Sequence, residues 1–399
     1  MKIAKLSLVA AVAVAGLSTA NAQPLEEAIK NVDVTGSVVY RYNDYDNDNT
    51  TGTDSDNDAS NNYKIGLNLA SKVNEDVKFN SRFIVGSQTT GSFVELDTAG
   101  ADGQADVSLS NAYFGYTGIK NTTVNVGKQG LTTPWTVALD SDGGEQTGTG
   151  ALVLSTLGNV TLGAGYFNQT NLNTIEPKLG DGTNVNSLVE GNEAITTVGA
   201  IANFAPVTVD AWYLDAQDLL DSYTVGAKVA TEASGIKLGA DARYASLDLD
   251  SSDLKNDMSK LVLTADAGLI DGKLAYAMTN KEGGLTALDN DATTTLLGWN
   301  LTSNGKADAD YWQAVLGFDI LSNLNLSANY GNLQYIEKAN STTDIEEEEV
   351  YAQLLYKMGK NLTTYARYGT YTKELTDVGQ PSKDVQDDTR GRVQVEYTF

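Results

Sequence analysis

The stretch Val32-Asp33-Val34-Thr35-Gly36-Ser37-Val38-Val39-Tyr40-Arg41-Tyr42-Asn43 decides the fold. Val32, Val34, Gly36, Val38, Tyr40 and Tyr42 share one parity, and Asp33, Thr35, Ser37, Arg41 and Asn43 share the other, with Val39 the exception. A period of two belongs to a β-strand, whose successive side chains point to opposite faces. This strand is apolar on one side and polar on the other.

The pattern repeats on either side of a short turn at residues 73–75. Tyr63, Ile65, Leu67 and Leu69 oppose Lys64, Gly66 and Asn68; Val77, Phe79, Phe83 and Val85 then oppose Lys78, Asn80 and Arg82. Carried to the end of the chain, the alternation gives about eighteen strands, an even number within the range of bacterial membrane barrels. Short connections (119–120, 157–158, 205–206, Asp271, 321–322, 359–360) take turns with long polar ones (45–61, 89–106, 131–147, 170–192, 282–308). Short periplasmic turns alternating with long outer loops are expected of an outer-membrane barrel. The physical reason is backbone satisfaction: a sheet in lipid must close so that no edge N–H or C=O is left without a partner. The fold expected is therefore all-β, a transmembrane antiparallel β-barrel.

The chain begins with an export leader. Lys2 and Lys5 form a positive head, residues 6–17 are apolar, and Ala20-Asn21-Ala22 is a small-x-small cleavage site. The apolar run is shorter than the roughly 20 residues a membrane helix needs. This assigns residues 1–22 to a signal peptide and 23–399 to one barrel, with one or two helical turns at 24–30 before the first strand.

Composition excludes several classes of function. With 0 His and 0 Cys there is no Ser-His-Asp triad, no His- or Cys-ligated zinc and no disulfide framework, so no enzyme is expected. A net charge of −25 opposes nucleic-acid binding, which relies on Lys and Arg at phosphates. Tyr is abundant (20) and Pro scarce (5), which suits strands with interfacial aromatic residues.

The last strand carries Val393, Val395, Tyr397 and Phe399 on one face and Arg392, Gln394, Glu396 and Thr398 on the other. A terminal aromatic strand of this kind resembles the insertion signal read by the barrel-assembly machinery. Further resemblance lies in Pro24-Leu25-Glu26-Glu27-Ala28-Ile29-Lys30, in Val32-Asp33-Val34, and in Gly127-Lys128-Gln129, Trp135-Thr136, Asp142-Gly143 and Gly148-Thr149-Gly150. On these segments the chain resembles the Campylobacter-type major outer membrane porin family. The resemblance implies a homotrimer in outer-membrane lipid, with the third long loop folded into the lumen.

That loop, 131–147, carries Asp140, Asp142 and Glu145. Arg41, Lys64, Lys78, Arg82, Arg390 and Arg392 lie on the polar parity of their strands and form the candidate basic side. Charges opposed across a narrow, low-dielectric constriction would set up a transverse field favouring polar solutes. Lys128 shares parity with Val124 and Val126; it faces inward only if a bulge intervenes, although the resemblance implies an inward position. The acidic runs Asp44/Asp46/Asp48, Asp54/Asp56/Asp58 and Glu346–Glu349 read as solvated outer loops. Asp54-x-Asp56-x-Asp58 lacks the glycine and closing Glu of a calcium loop, so no cofactor is expected beyond weak Ca2+ bridging. The function expected is a general diffusion porin for ions and small hydrophilic solutes, mildly cation-preferring. The alternatives are a substrate-specific channel, with Trp212 and Tyr311 as its main inward aromatics, or a structural or adhesive barrel.

Overall fold

The structure, a computed structural model, describes residues 32–48, 55–87, 92–97, 105–172, 189–339 and 341–399. The leader, residues 24–30 and Asp54 lie outside them. The strands are β1 (Val32–Asp48), β2 (Ser55–Lys72), β3 (Val77–Gly86), β4 (Val94–Asp97), β5 (Asp106–Tyr116), β6 (Thr122–Gly130), β7 (Thr147–Leu157), β8 (Val160–Thr170), β9 (Ile195–Phe204), β10 (Val207–Ala216), β11 (Leu220–Ala233), β12 (Ile236–Leu249), β13 (Lys255–Asp266), β14 (Ile270–Thr279), β15 (Ala307–Leu321), β16 (Leu324–Ile336), β17 (Thr343–Lys357), β18 (Leu362–Asp377) and β19 (Lys383–Thr398).

Eighteen of these form one closed antiparallel barrel in sequence order, and β1 completes the ring by pairing with β19. The odd element is β4, which pairs with Ser60–Tyr63 of β2 beyond the point where β3 leaves off. Closure is sealed at the chain end: Gly36 N–H donates to the Phe399 carbonyl at 2.9 Å, and Phe399 N–H to the Gly36 carbonyl at 3.0 Å. A Cβ on Gly36 would stand 2.8 Å from the Phe399 ring, so the glycine makes room for that aromatic.

The period-two reading holds on the outer face. Val34, Val38 and Tyr40 of β1, Leu261 and Leu263 of β13, and Val393, Val395, Tyr397 and Phe399 at the end of the chain are all exposed there. This is the face a bilayer covers, where apolar side chains are the stable choice. At one end the turns are short: 73–76, 117–121, 158–159, 205–206, 234–235, 267–269, 322–323 and 358–361. The turn expected at Asp271 is one of these, set back to 267–269, so Asp271 itself is strand.

Three expectations fail at the other end. The 45–61 segment is largely strand, with β1 and β2 running to Asp48 and from Ser55 in register; Asp44, Asp46 and Asp48 are thus strand residues, as are Asp56 and Asp58. The run Glu346–Glu349 belongs to β17, and its members alternate in burial, Glu347 and Glu349 being buried. The long 282–308 connection is not a solvated loop. Leu285, Ala287, Leu288, Leu296 and Leu301 of it are buried, inside the barrel.

Two apolar clusters hold that loop in place. In the first, Leu285 and Leu288 meet Leu131 and Trp135 of the 131–146 loop and inward residues of β8–β12, among them Phe167, Leu214 and Leu247. In the second, Leu296 and Leu301 pack on Met258, Ala277, Tyr311 and Leu333 of β13–β16. Burying a leucine contributes about 1.5–3 kcal/mol, so this half of the interior is a packed core and not wet lumen. Trp212 and Tyr311 belong to these clusters or pack against them, so neither offers a sliding surface.

Candidate functional site

Residues 131–146 and 280–306 meet each other inside the barrel. Leu288 N–H donates to the Trp135 carbonyl at 2.8 Å, and Gln146 Nε2 donates to the Leu288 carbonyl at 2.6 Å. Thr293 and Thr294 Oγ1 both donate to the Pro134 carbonyl, and Ser141 N–H donates to Asp291 Oδ2 at 2.6 Å. Trp135, fully buried, sits at the centre of the junction.

The basic strand residues hold the tip of the 131–146 loop. Glu145 takes Lys64 Nζ at 2.9 Å, Arg82 Nη2 at 2.7 Å and Ser110 Oγ at 2.6 Å. Ser110 reaches it because a bulge opposite Arg82/Phe83 turns both Ser110 and Asn111 inward. Lys64 Nζ also donates to the Gly143 carbonyl. Gly143 has φ +85°, and the Phe93 ring lies 2.6 Å from where a Cβ would be, so only glycine suits the tip. Arg41 donates to Asp142 at 3.2 Å and to the Ser141 carbonyl at 2.7 Å while lying under the Phe93 ring at 4.3 Å. Arg392 approaches the same Asp142 at 3.6 Å.

The picture of charges opposed across a gap therefore changes at this point. Arg41, Lys64, Arg82 and Arg392 touch Asp142 and Glu145 directly, and each pair neutralises itself in contact. Burial pushes the Glu145 carboxyl up, but Arg82, Lys64 and Ser110 together outweigh it and hold it below the usual carboxylate range. Asp140 differs: burial, then Asp142 and Asp291, raise it against the N–H of Gly144, its hydrogen-bond partner at 2.7 Å.

Three candidates stand away from this contact network. Lys78 is exposed beside the 73–76 turn at the short-turn end. Lys128 points outward: Gln129 takes the inward position, register is continuous on both sides of β6, and Lys128 Nζ donates to the Leu109 carbonyl at 3.0 Å. No bulge intervenes in β6, so strict alternation prevails there. Arg390 is inward but pairs with the fully buried Asp388 at 2.6 Å and donates to Asn300 Oδ1 at 2.5 Å, so it anchors the 280–306 loop.

Between the two loops and the wall formed by β14–β19 lies a cavity of about 690 Å³. Its loop side carries Asp140, Asp142, Asp289 and Asp291; its wall carries Lys273, Arg367 and Arg392. Burial, with Asp140, Asp291 and Asp142 nearby, pushes the Asp289 carboxyl up to about 7 despite the N–H of Asp291. Glu349 of the wall accepts from Trp299 N–H at 3.0 Å and Asn300 N–H at 2.7 Å and so fastens the second loop. Arg367 lies 4.9 Å from the Trp299 and Tyr351 rings and 5.3 Å from Tyr365. Sequence reasoning passed over Asp289, Asp291, Trp299, Tyr351, Tyr365, Arg367 and Lys273. The available signal was in residues 280–306, whose leucines and tryptophan are unsuited to a solvated loop.

A closed membrane barrel whose interior keeps a charged cavity between folded-in loops defines the class of outer-membrane porins. Within that class the chain belongs to the family described as Campylobacter major outer membrane protein, which it matches over residues 1–399. No curated protein matches the sequence. Among solved structures it is similar to Pseudomonas aeruginosa OccK5 (OpdH), at 19% identity and TM-score 0.69, covering 92% of this chain and 98% of that one. A BenF-like porin from Pseudomonas fluorescens Pf-5 is similar at 14% identity and TM-score 0.72, covering 93% and 99%. P. aeruginosa OccK2 (OpdF), in complex with glucuronate, is similar at 15% identity and TM-score 0.69, covering 92% and 98%. At such identities the likeness lies in the barrel itself.

Proposed function

We propose that this outer-membrane porin is a passive, general diffusion channel for ions and small hydrophilic solutes, with a mild preference for cations and no reaction of its own. The observation that carries the reading is the polar cavity left between the two inner loops and the β14–β19 wall. Charges of both signs line it, so any solute small and polar enough to keep its hydration replaced can enter. The cation preference is argued from charge. Basic residues at the loop tip are each matched by a carboxylate, whereas Asp140, Asp289 and Asp291 have no Lys or Arg within ion-pairing distance among the described residues. With a net charge of −25, the field at the entrance draws cations, screened over about 8 Å at physiological salt.

The test is single-channel conductance and reversal potential of the purified, refolded protein in planar bilayers. Steady ohmic steps grouped in threes support an open trimer, and a reversal potential towards the K+ equilibrium value in a KCl gradient supports the preference. A barrel that folds but conducts no current removes the channel reading and leaves a structural or adhesive role. An anion-selective reversal potential removes the cation preference alone.

A further inference from the structure

The interior cations of this barrel fall into two groups. Arg41, Lys64, Arg82, Arg243, Arg390 and Arg392 each have a carboxylate within 4 Å. Lys260, Arg367 and Lys273 do not; Lys260 donates to the Thr295 carbonyl at 2.7 Å, whereas Arg367 and Lys273 line the cavity. Among the described residues, Arg367 Nε and Nη2 donate to Gln353 Oε1 at 3.0 and 2.7 Å, and Lys273 Nζ donates to Gln313 Oε1 at 2.9 Å. An amide carbonyl satisfies a donor without neutralising the charge. Glu349 contributes its field to both, but its oxygens are taken by the N–H groups of Trp299 and Asn300. Among the described residues Arg367 Nη1 has no hydrogen-bond acceptor, and Lys273 Nζ has two further N–H directions unused.

A cation desolvated by burial and left without a counter-ion is costly unless something else supplies the negative charge. Here the unused donors face the cavity between the inner loops and the wall. A carboxylate arriving there can take Arg367 Nη1 in a charge-assisted hydrogen bond, on a wall that Lys273 also makes positive. Three aromatic rings, Trp299, Tyr351 and Tyr365, surround Arg367 and leave apolar surface beside it for the body of the solute. Facing this wall, the loop side of the same cavity is acidic, with Asp140 and Asp291 partly exposed and neither ion-paired among the described residues. A simple anion gains from the wall and is repelled by the loops. A simple amine has the reverse balance. A solute with both charges is met favourably at each end.

We infer that the cavity is a binding station for zwitterionic amino acids, the carboxylate held by Arg367 on a wall that Lys273 also makes positive, and the ammonium directed to the aspartates of the two inner loops. This rests on the channel reading above and adds the solute class to it. A cavity of about 690 Å³ accommodates an amino acid with an aromatic side chain.

The experiment compares three matched probes in planar bilayers under symmetric KCl: phenylalanine, 3-phenylpropionate without the ammonium, and phenethylamine without the carboxylate. Phenylalanine should interrupt the open-channel current at millimolar concentrations, with dwell times at least about fivefold longer than either analogue, the scale of one charge-assisted hydrogen bond near an aqueous surface. Arg367→Gln should remove most of that difference while leaving KCl conductance measurable. Lys273→Gln, which disturbs no aromatic contact, should shorten the phenylalanine dwell in the same direction by removing positive charge from the wall. Equal dwell times for phenylalanine and 3-phenylpropionate would overturn the zwitterion assignment and leave an anion station. Equal dwell times for all three, or unaltered binding in both variants, would overturn the station altogether. Absence of KCl current in the unsubstituted protein would instead count against the channel reading on which the inference stands.

Discussion

Glu145 is the residue on which the geometry of the first inner loop turns, since one carboxylate meets Lys64, Arg82 and Ser110 together. Glu145→Gln removes its charge and leaves two buried cations without their counter-ion, a loss on the order of 3–5 kcal/mol for a broken buried pair. The loop tip should detach, and single-channel recording should show higher, noisier conductance than the unsubstituted protein. Asp289 gives the pH dependence. Its carboxyl is raised to about 7, so in the folded loop it is neutral below that pH and charged above. The stability its neutral form contributes is complete below the ordinary carboxylate range and lost as pH rises through about 7. Reversal potentials should therefore move toward stronger cation preference between pH 6 and 8, and Asp289→Asn should flatten that change. At this scale the sequence was partly legible. Parity placed Arg41, Lys64, Arg82 and Arg392 inward, but it could not say that they would touch the acids and not face them. Lys78 has the right parity at the wrong height, because alternation carries no information on position along the pore axis.

Among elements, the strands were readable and the long loops were not, for one physical reason. A membrane strand is constrained at every second residue by lipid, whereas a loop is constrained only by what it happens to fold onto. Residues 280–306 show the consequence: they resemble an outer loop by length and polarity, yet fold inside and bury Leu285, Leu288, Leu296 and Leu301. The run Glu346–Glu349 was misread in the same sense, since it lies on β17 and Glu347 is buried there against Lys306, Lys373 and Tyr335. Trp135 joins the two loops. Trp135→Ala removes a fully buried side chain from their junction, a change that costs about 3–5 kcal/mol in a packed core. The barrel should still form, with heat-modifiable mobility on gels unchanged, while limited proteolysis cuts within residues 131–146 and 280–306 that resist it in the unsubstituted protein. Proteolysis that remains unaltered would mean that polar contacts such as Leu288 to Trp135 hold the junction by themselves.

On the scale of the whole molecule, the barrel is closed by the pairing of its first and last strands, Ser37 opposite Thr398 and onward to Asp48 opposite Asp387. Gly36 and Phe399 exchange both backbone hydrogen bonds, so two residues far apart in the chain become neighbours in the sheet. Topologically the ring has no privileged seam. The chain could be circularly permuted, its old ends joined by a short linker and new ones opened at the tight turn Ser234-Gly235, with every strand keeping its neighbours. Such a permutant separates two things that coincide in the natural order, the register of the β1–β19 pair and the exposure of Val393, Val395, Tyr397 and Phe399 at a free carboxyl end. If it refolds in detergent but is not inserted in cells, the terminal aromatic strand acts as an address; if it is inserted as well, that strand is only the last stave of the barrel.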